Sequence, residues 1–164
     1  AAIVWGANHG AVISQNSWGY NYDSNQDGKL TGQELENAMS ATIDASDRNA
    51  VDYFIKYAGC DNEGNQLPDS PMKGGVVIFA AGNDNIANGA PANYEPIISV
   101  GAISSNGTKA AYSNYGDWVD ICAPGSDIYS TTPQSTYSYM SGTSMACPHV
   151  SGVAALIVSY AVVL

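Results

Sequence analysis

Residues 74–83 read Gly-Gly-Val-Val-Ile-Phe-Ala-Ala-Gly-Asn, with no polar side chain from Val76 to Ala81. A run that is apolar at every position cannot be a strand with one wet face. It fits a strand buried on both faces, as in a parallel sheet covered by helices. The segment therefore predicts an α/β fold with a mainly parallel sheet flanked by helices. Open sheets of this kind place ligands beyond the carboxyl ends of their strands. Gly82 and Asn83 fall at that end, where the Asn83 amide would project into the crevice. A Gly-Asn pair used only for its backbone freedom is the plainer alternative.

Residues 142–152 read Gly-Thr-Ser-Met-Ala-Cys-Pro-His-Val-Ser-Gly. A tight Gly-Thr turn would set Ser144 at the entrance of an apolar helix, Val150 to Tyr160. A serine hydroxyl there lies beside free backbone N–H groups at the positive end of the helix. That suits a nucleophile whose attack creates an oxyanion. A helix cap by Thr143 or Ser144 is the alternative. Pro148 removes an N–H that would bond back toward the Ser144 carbonyl, so the helix is expected to start irregularly. Between the two segments' neighbours, Ala50, Val51, Phe54, Ile55 and Ala58 share one helical face within residues 48–59. That predicts a crossover helix leading to the 76–81 strand. The 60–73 loop is polar, holds Pro68 and Pro71, and is expected to be exposed.

The Gly-Thr-Ser-Met-Ala-x-Pro-His-Val-x-Gly stretch resembles the nucleophile motif of the subtilisin-like serine proteases, the subtilases, with Cys147 at a position where a small residue or Thr is usual. Asn83 resembles their oxyanion asparagine. Pro91-Ala92-Asn93-Tyr94, Ile97–Ala102, Tyr112–Gly116 and Val119–Gly125 look like the loops and strands that follow. Ile128–Thr131 leads back toward the nucleophile. Ala2–His9 and Val12–Gly19 look like the family's helix and substrate-edge strand. The likeness covers nearly all of the chain except residues 20–45 and 60–72. It implies a serine endopeptidase in which Ser144 attacks the scissile carbonyl and Asn83, with the Ser144 N–H, holds the oxyanion. It also implies that Ser17, Trp18 and Gly19, opposite Ala80, Ala81 and Gly82, form the two edges of a channel for an extended peptide.

A hydrolase of this type needs a histidine base and an acid that orients it. The family carries both ahead of the nucleophile, on Asp-Thr/Ser-Gly and His-Gly-Thr type segments, and neither segment occurs in this sequence. His149 stands five residues past Ser144, about 7.5 Å of rise and about 140° around a helix axis. It is expected to point elsewhere, as a packed helix histidine. His9 reads as a helix end before Gly10. Both chain ends fall within apparent helices. The 164 residues are therefore expected to be the second half of a protease domain, inactive alone.

Residues 23–34, Asp-Ser-Asn-Gln-Asp-Gly-Lys-Leu-Thr-Gly-Gln-Glu, match an EF-hand calcium loop. Oxygen side chains stand at loop positions 1, 3 and 5, Gly at 6 and Glu at 12. The predicted Ca²⁺ ligands are Asp23, Asn25, Asp27 and Glu34, with the Lys29 carbonyl. Glu34, Leu35, Ala38, Met39 and Ile43 recur at helical spacing and predict an exit helix. Tyr20-Asn21-Tyr22 predicts no entry helix. A polar turn rich in Asp, Asn and Gly is the alternative. No organic cofactor is expected.

Formal net charge is −10, from 15 acidic and 5 basic residues. Five scattered cations cannot build a basic patch, which excludes nucleic acid as a partner. The apolar C-terminal run is too short for a membrane span of about 20 residues. Charged residues make up 12% of the chain, about half the usual share. Ser, Asn, Gly and Tyr supply the polarity instead, which suits the secreted or cell-envelope location that the resemblance implies. Cys60, Cys122 and Cys147 are odd in number and follow no metal spacing; the last two fall in buried-looking segments and are expected to be free thiols. The expected partner is a peptide or protein substrate. Self-association is expected of a sheet lacking its earlier strands. The rival readings are a calcium-binding interaction module and an inactive protease-like scaffold.

Overall fold

The structure, a computed structural model, describes residues 2–161. Four strands form one sheet in the order β1-β2-β3-β4, every neighbouring pair parallel: β1 (Ile13–Asn16), β2 (Val76–Ala80), β3 (Ile98–Ile103) and β4 (Ile121–Pro124). Helices α1 (Ala2–Asn8) and α3 (Ala45–Tyr57) pack together, and α3 lies against β2. Helix α4 (Thr143–Ala161) crosses all four strands. A short helix, α2 (Gln33–Ser40), precedes α3, and an antiparallel hairpin of β5 (Ile128–Thr132) and β6 (Thr136–Met140) precedes α4.

The period of two along β2 divides the core. Val77 and Phe79 face α3 and meet Val51, Phe54 and Ala58. Ile78 and Ala80 face the other way, with Val100, Ala102, Ala123, Ala146 and Cys147. Both faces are closed, as the uninterrupted apolar run requires. Phe54 and Phe79 are buried completely or nearly so, and burial of each such side chain contributes roughly 1.5–3 kcal/mol. Gly75 lets α3 approach: a Cβ there would stand 2.5 Å from Phe54 Cε1 and 2.9 Å from Ala58 Cβ.

Four expectations need correction. The last helix begins at Thr143, not Val150, and runs through Pro148. Ser144 thus lies inside its first turn. The chain around residues 128–140 is a hairpin, which the sequence reading omitted. Cys122 is exposed. It sits beside Ala123, which faces α4, so its own side chain takes the opposite face, and the helices there cover β2 rather than the edge strand β4. His149 is exposed rather than packed.

At 19 residues α4 is long and apolar enough to cross a bilayer by length and composition. Thr143, Ala146 and Cys147 are nevertheless buried against the sheet, so the helix is a layer of this fold. Its far half, with Val153, Leu156, Ile157 and Tyr160, is exposed. So are Ile121 on β4 and Tyr129, Tyr137 and Tyr139 on the hairpin. His9 follows α1 and precedes the start of β1, at the opposite end of the sheet from Ser144; it stacks on Trp5 at 3.8 Å.

Candidate functional site

The carboxyl ends of β1 and β2 and the first turn of α4 meet at one point. β2 leaves the sheet through Ala81 and Gly82, whose φ is +102°. A Cβ at Gly82 would fall 2.3 Å from Asn114 Nδ2, so the position admits only glycine. The next residue, Asn83, then turns back onto α4.

Thr143 fixes the Asn83 side chain. Its backbone N–H donates to Asn83 Oδ1 at 2.9 Å, and its hydroxyl donates to the same oxygen at 3.0 Å. A backbone N–H can only donate, so the atom facing it is the amide oxygen. Asn83 Nδ2 is thereby left as a donor directed away from that contact. The Thr143 hydroxyl also accepts from the Gly82 N–H at 3.1 Å. Asn83 itself is exposed, whereas Thr143 is completely buried. Ser144, as a first-turn residue of α4, contributes an N–H without an intrahelical partner. An amide N–H₂, a free backbone N–H and the positive end of a helix together form a place where negative charge on oxygen is stabilised.

Ser144 is half-buried. Its hydroxyl lies 3.4 Å from the Ser17 carbonyl, and Ser17 Oγ donates to the Ser144 carbonyl at 2.8 Å. Trp18, Gly19, Ala80, Ala81, Gly82, Asn83, Thr143 and Ser144 all line one cleft of about 90 Å³. Tyr20, Tyr22, Ala38 and Asp84 are also in its wall. Trp18 and Gly19 of one expected edge and Ala80, Ala81 and Gly82 of the other therefore face a common space. Trp18 packs edge-on against Phe79 at 4.9 Å and donates from Nε1 to Asn16 Oδ1 at 3.1 Å, so it lines the cleft from a fixed position. Tyr20 donates to Asp47 at 2.7 Å; burial and the Asp47 carboxylate push its pKa up to about 12, against the opposing effect of an Asp44 N–H.

A second cleft of about 380 Å³ lies on the other side of Ser144, between the hairpin and α4. Ser144, Met145, Pro148 and His149 line its α4 wall. His149 Nδ1 is 2.8 Å from the Met145 carbonyl, an acceptor, so the ring is tied to its own helix. Among the described residues, the hydrogen-bond partner of Ser144 Oγ is the Ser17 carbonyl, not an imidazole.

Asn114 is a site residue that the sequence reading missed. It is buried and arranges the whole loop behind Asn83. Its Oδ1 accepts from the N–H groups of Asp84 and Ile86, and its Nδ2 donates to the Ala81 carbonyl at 3.0 Å. Its own N–H donates to the Gly82 carbonyl. Only the Ser-Asn-Tyr-Gly turn composition around it pointed to such a role. Asn88 acts similarly one turn on. Its Nδ2 donates to the carbonyls of Ala38, Met39 and Ala41 at the end of α2, and Asn93 joins from beside it.

In the 23–34 loop, Asp23 Oδ2 accepts from the Gly28 N–H at 2.9 Å, Asn25 Oδ1 from the Asp27 N–H, and Asp27 Oδ1 from the Lys29 N–H. Three oxygen side chains thus turn inward around Gly28, whose φ is +77°. Glu34 instead accepts from the Ser24 N–H and hydroxyl, chiefly the hydroxyl, and this holds its carboxyl below the usual range. Among the described residues no three His, Cys, Asp or Glu side chains converge tightly enough to hold an ion; Asn25 and the Lys29 carbonyl fall outside that count. The loop abuts the substrate cleft. Partial burial raises the Asp84 carboxyl's pKa, and the Asp23 charge adds to the rise.

Residues 1–162 match the model of the subtilase family. The chain is similar to the thermophilic serine proteinase of Bacillus sp. strain AK1, 45% identical over 130 residues, covering 76% of this chain and 32% of that protein. It is 46% identical over 106 residues to the extracellular protease of Xanthomonas campestris pv. campestris, covering 59% of this chain and 18% of that one. The solved structure of the prenylagaramide maturation protease PagA superposes with a TM-score of 0.67 at 32% identity, over 96% of this chain and 47% of the other. The chain spans less than half the length of each of these relatives.

The geometry makes one prediction independent of any relative. Asn114→Ala leaves the Ala81 carbonyl and two loop N–H groups without partners. Urea denaturation is expected to show a loss of about 1–3 kcal/mol for the buried group left unpaired. An unchanged midpoint would mean the 82–86 loop holds its shape without Asn114.

Proposed function

The chain belongs to the subtilase family, and on that premise we propose that it carries the nucleophile, the oxyanion donors and both substrate edges of a serine endopeptidase. The observation that carries this reading is the Thr143–Asn83 junction. It points an amide donor away from Thr143 and sets it beside Ser144, at the start of α4. Ser144 Oγ gives its proton to the general base as it attacks the scissile carbonyl carbon, and the carbonyl oxygen takes the negative charge. Collapse, with that proton passed to the leaving nitrogen, expels the amine and leaves an acyl-enzyme. Asn83 Nδ2 and the Ser144 N–H receive the oxyanion. The substrate lies extended between residues 17–19 and 80–82, its side chains passing Trp18. In this reading the general base and its orienting acid come from outside the 164 residues, against the 380 Å³ cleft beside Ser144. Secretion or a cell-envelope location follows from the same reading and is supported by the low charged fraction.

We further propose that the 23–34 loop binds Ca²⁺ through Asp23, Asn25, Asp27, the Lys29 carbonyl and Glu34. Inward-facing oxygens around Gly28 support this. Glu34 would exchange its Ser24 contacts for the ion. Ca²⁺ would draw Glu34 in toward Asp23 and Asp27 and order the start of α2. The exposed apolar surface of α4, β4 and the hairpin supports self-association of the chain.

Outcomes are expected for turnover, for calcium and for association. The purified 164-residue chain should not turn over a fluorogenic peptide, because a neutral serine without a base is a weak nucleophile. In the full-length protein Ser144→Ala should abolish turnover. Asn83→Ala there should lower kcat far more than it raises KM; the scale is borrowed from subtilisin itself, where losing the oxyanion asparagine costs about 10²–10³ in kcat. Turnover by the chain alone, removed by Ser144→Ala, would show that it supplies its own base. Full-length protein with no turnover would leave an inactive scaffold. In calorimetric titration, metal-stripped chain should release heat on binding Ca²⁺ and Glu34→Gln should not, with a gain of about 2.7 kcal/mol when free ion is 100-fold above Kd. No heat at millimolar Ca²⁺ reduces the loop to a polar turn. Light scattering of the chain should report species larger than a monomer, and a stable monomer at high concentration would remove self-association.

A further inference from the structure

α4 runs without a break from Thr143 through Pro148. In an α-helix the N–H of each residue bonds the carbonyl four positions back. The Ser144 carbonyl would therefore be served by residue 148, and proline has no N–H to give. The missing donor arrives from another strand. Ser17, just past the end of β1, donates its hydroxyl proton to the Ser144 carbonyl at 2.8 Å. A hydroxyl has one proton, so the Ser17 oxygen is left as an acceptor. Gln15 Nε2 fills it at 2.6 Å, and the same amide lies 3.5 Å from Cys147 Sγ on the next turn of the helix. In the reverse direction, the Ser17 carbonyl faces Ser144 Oγ at 3.4 Å. The edge strand and the serine are joined twice, side chain to backbone and backbone to side chain.

We propose that Ser17 and Gln15 are positioning residues that replace the hydrogen bond Pro148 withholds, and so hold Ser144 in register with the substrate edge. The proposal rests on the reading of Ser144 as the nucleophile. Fixing the Ser144 carbonyl fixes rotation about its Cα–C bond and so the placing of its Cα–Cβ bond, while the Ser17 carbonyl facing Oγ at 3.4 Å selects the rotamer about that bond. Gln15 fixes the Ser17 hydroxyl rotor, so the proton is always on the Ser144 side. The substrate pairs with the backbone of residues 17–19, whereas the Ser17 hydroxyl points to the helix. Loss of the hydroxyl is therefore expected in kcat rather than KM.

The test uses the full-length protein, with steady-state cleavage of a fluorogenic peptide and the rate at which a fluorophosphonate labels Ser144. Ser17→Ala should lower kcat and the labelling rate about 3- to 10-fold, the scale of one hydrogen bond, with KM moving less than about twofold. Ser17→Thr, which keeps the hydroxyl, should restore both rates. Gln15→Leu should give a smaller loss of the same kind. The decisive comparison is Pro148→Ala, which returns an N–H to the Ser144 carbonyl. In that background Ser17→Ala should cost less than about twofold, the non-additivity expected of two donors that serve one acceptor. An equal cost in both backgrounds, or a loss confined to KM, overturns the proposal. A labelled wild type with unchanged Ser17→Ala rates overturns the positioning role and leaves the nucleophile in place. A wild type unlabelled at Ser144 overturns both.

Discussion

The two hydrogen bonds from Thr143 to Asn83 Oδ1 hold the end of a buried strand against the start of a helix. The proposed oxyanion site depends on that junction. It decides which end of the Asn83 amide is free, it places the exposed N–H groups of α4 beside that free end, and it closes the cleft between the two edge segments. The junction is itself anchored from below. β2 is buried on both faces, so its exit point cannot drift, and Gly82 and Asn114 force the chain to turn at once. The donors proposed for an oxyanion are thus preorganised by packing.

The architecture was legible because β2 has no polar position and the crossover helix keeps one apolar face. Physical pattern alone predicted the parallel sheet and placed Gly82 and Asn83 at its carboxyl end. The residues that shape the site were harder to read. Asn114 and Asn88 act by satisfying backbone groups of segments distant in sequence, and no local spacing announces such a task. The extent of α4 was misjudged because Pro148 was treated as a breaker. In the folded chain Ser17 supplies the missing donor from another strand, which sequence periodicity cannot register. Cys122 was misplaced for a related reason: an apolar strand at a sheet edge reads like one at its centre.

The exposed residues tell a consistent story about the surface. Ile121, the hairpin tyrosines and the far half of α4 are apolar and uncovered. Tyr129 among them lines the cleft on the second side of Ser144, with Ile128, Met140, Met145 and Pro148. A serine with donors on one side and an uncovered apolar wall on the other is what the proposed reading needs if the base comes from another segment.

Asn88 is buried, and its amide is spent on the last carbonyls of α2. Were α2 to peel away, that amide would be stranded in the interior, and the loop from Asn83 to Asn93 would lose the strut it leans on. The helix and the loop therefore share a single opening event and a common free energy for it. Amide protons in the two segments should exchange with solvent at the same pace, although about fifty residues of chain separate them. Flexibility introduced along α2 becomes flexibility of the Asn88 side of that loop, while Asn83 stays tied to Thr143.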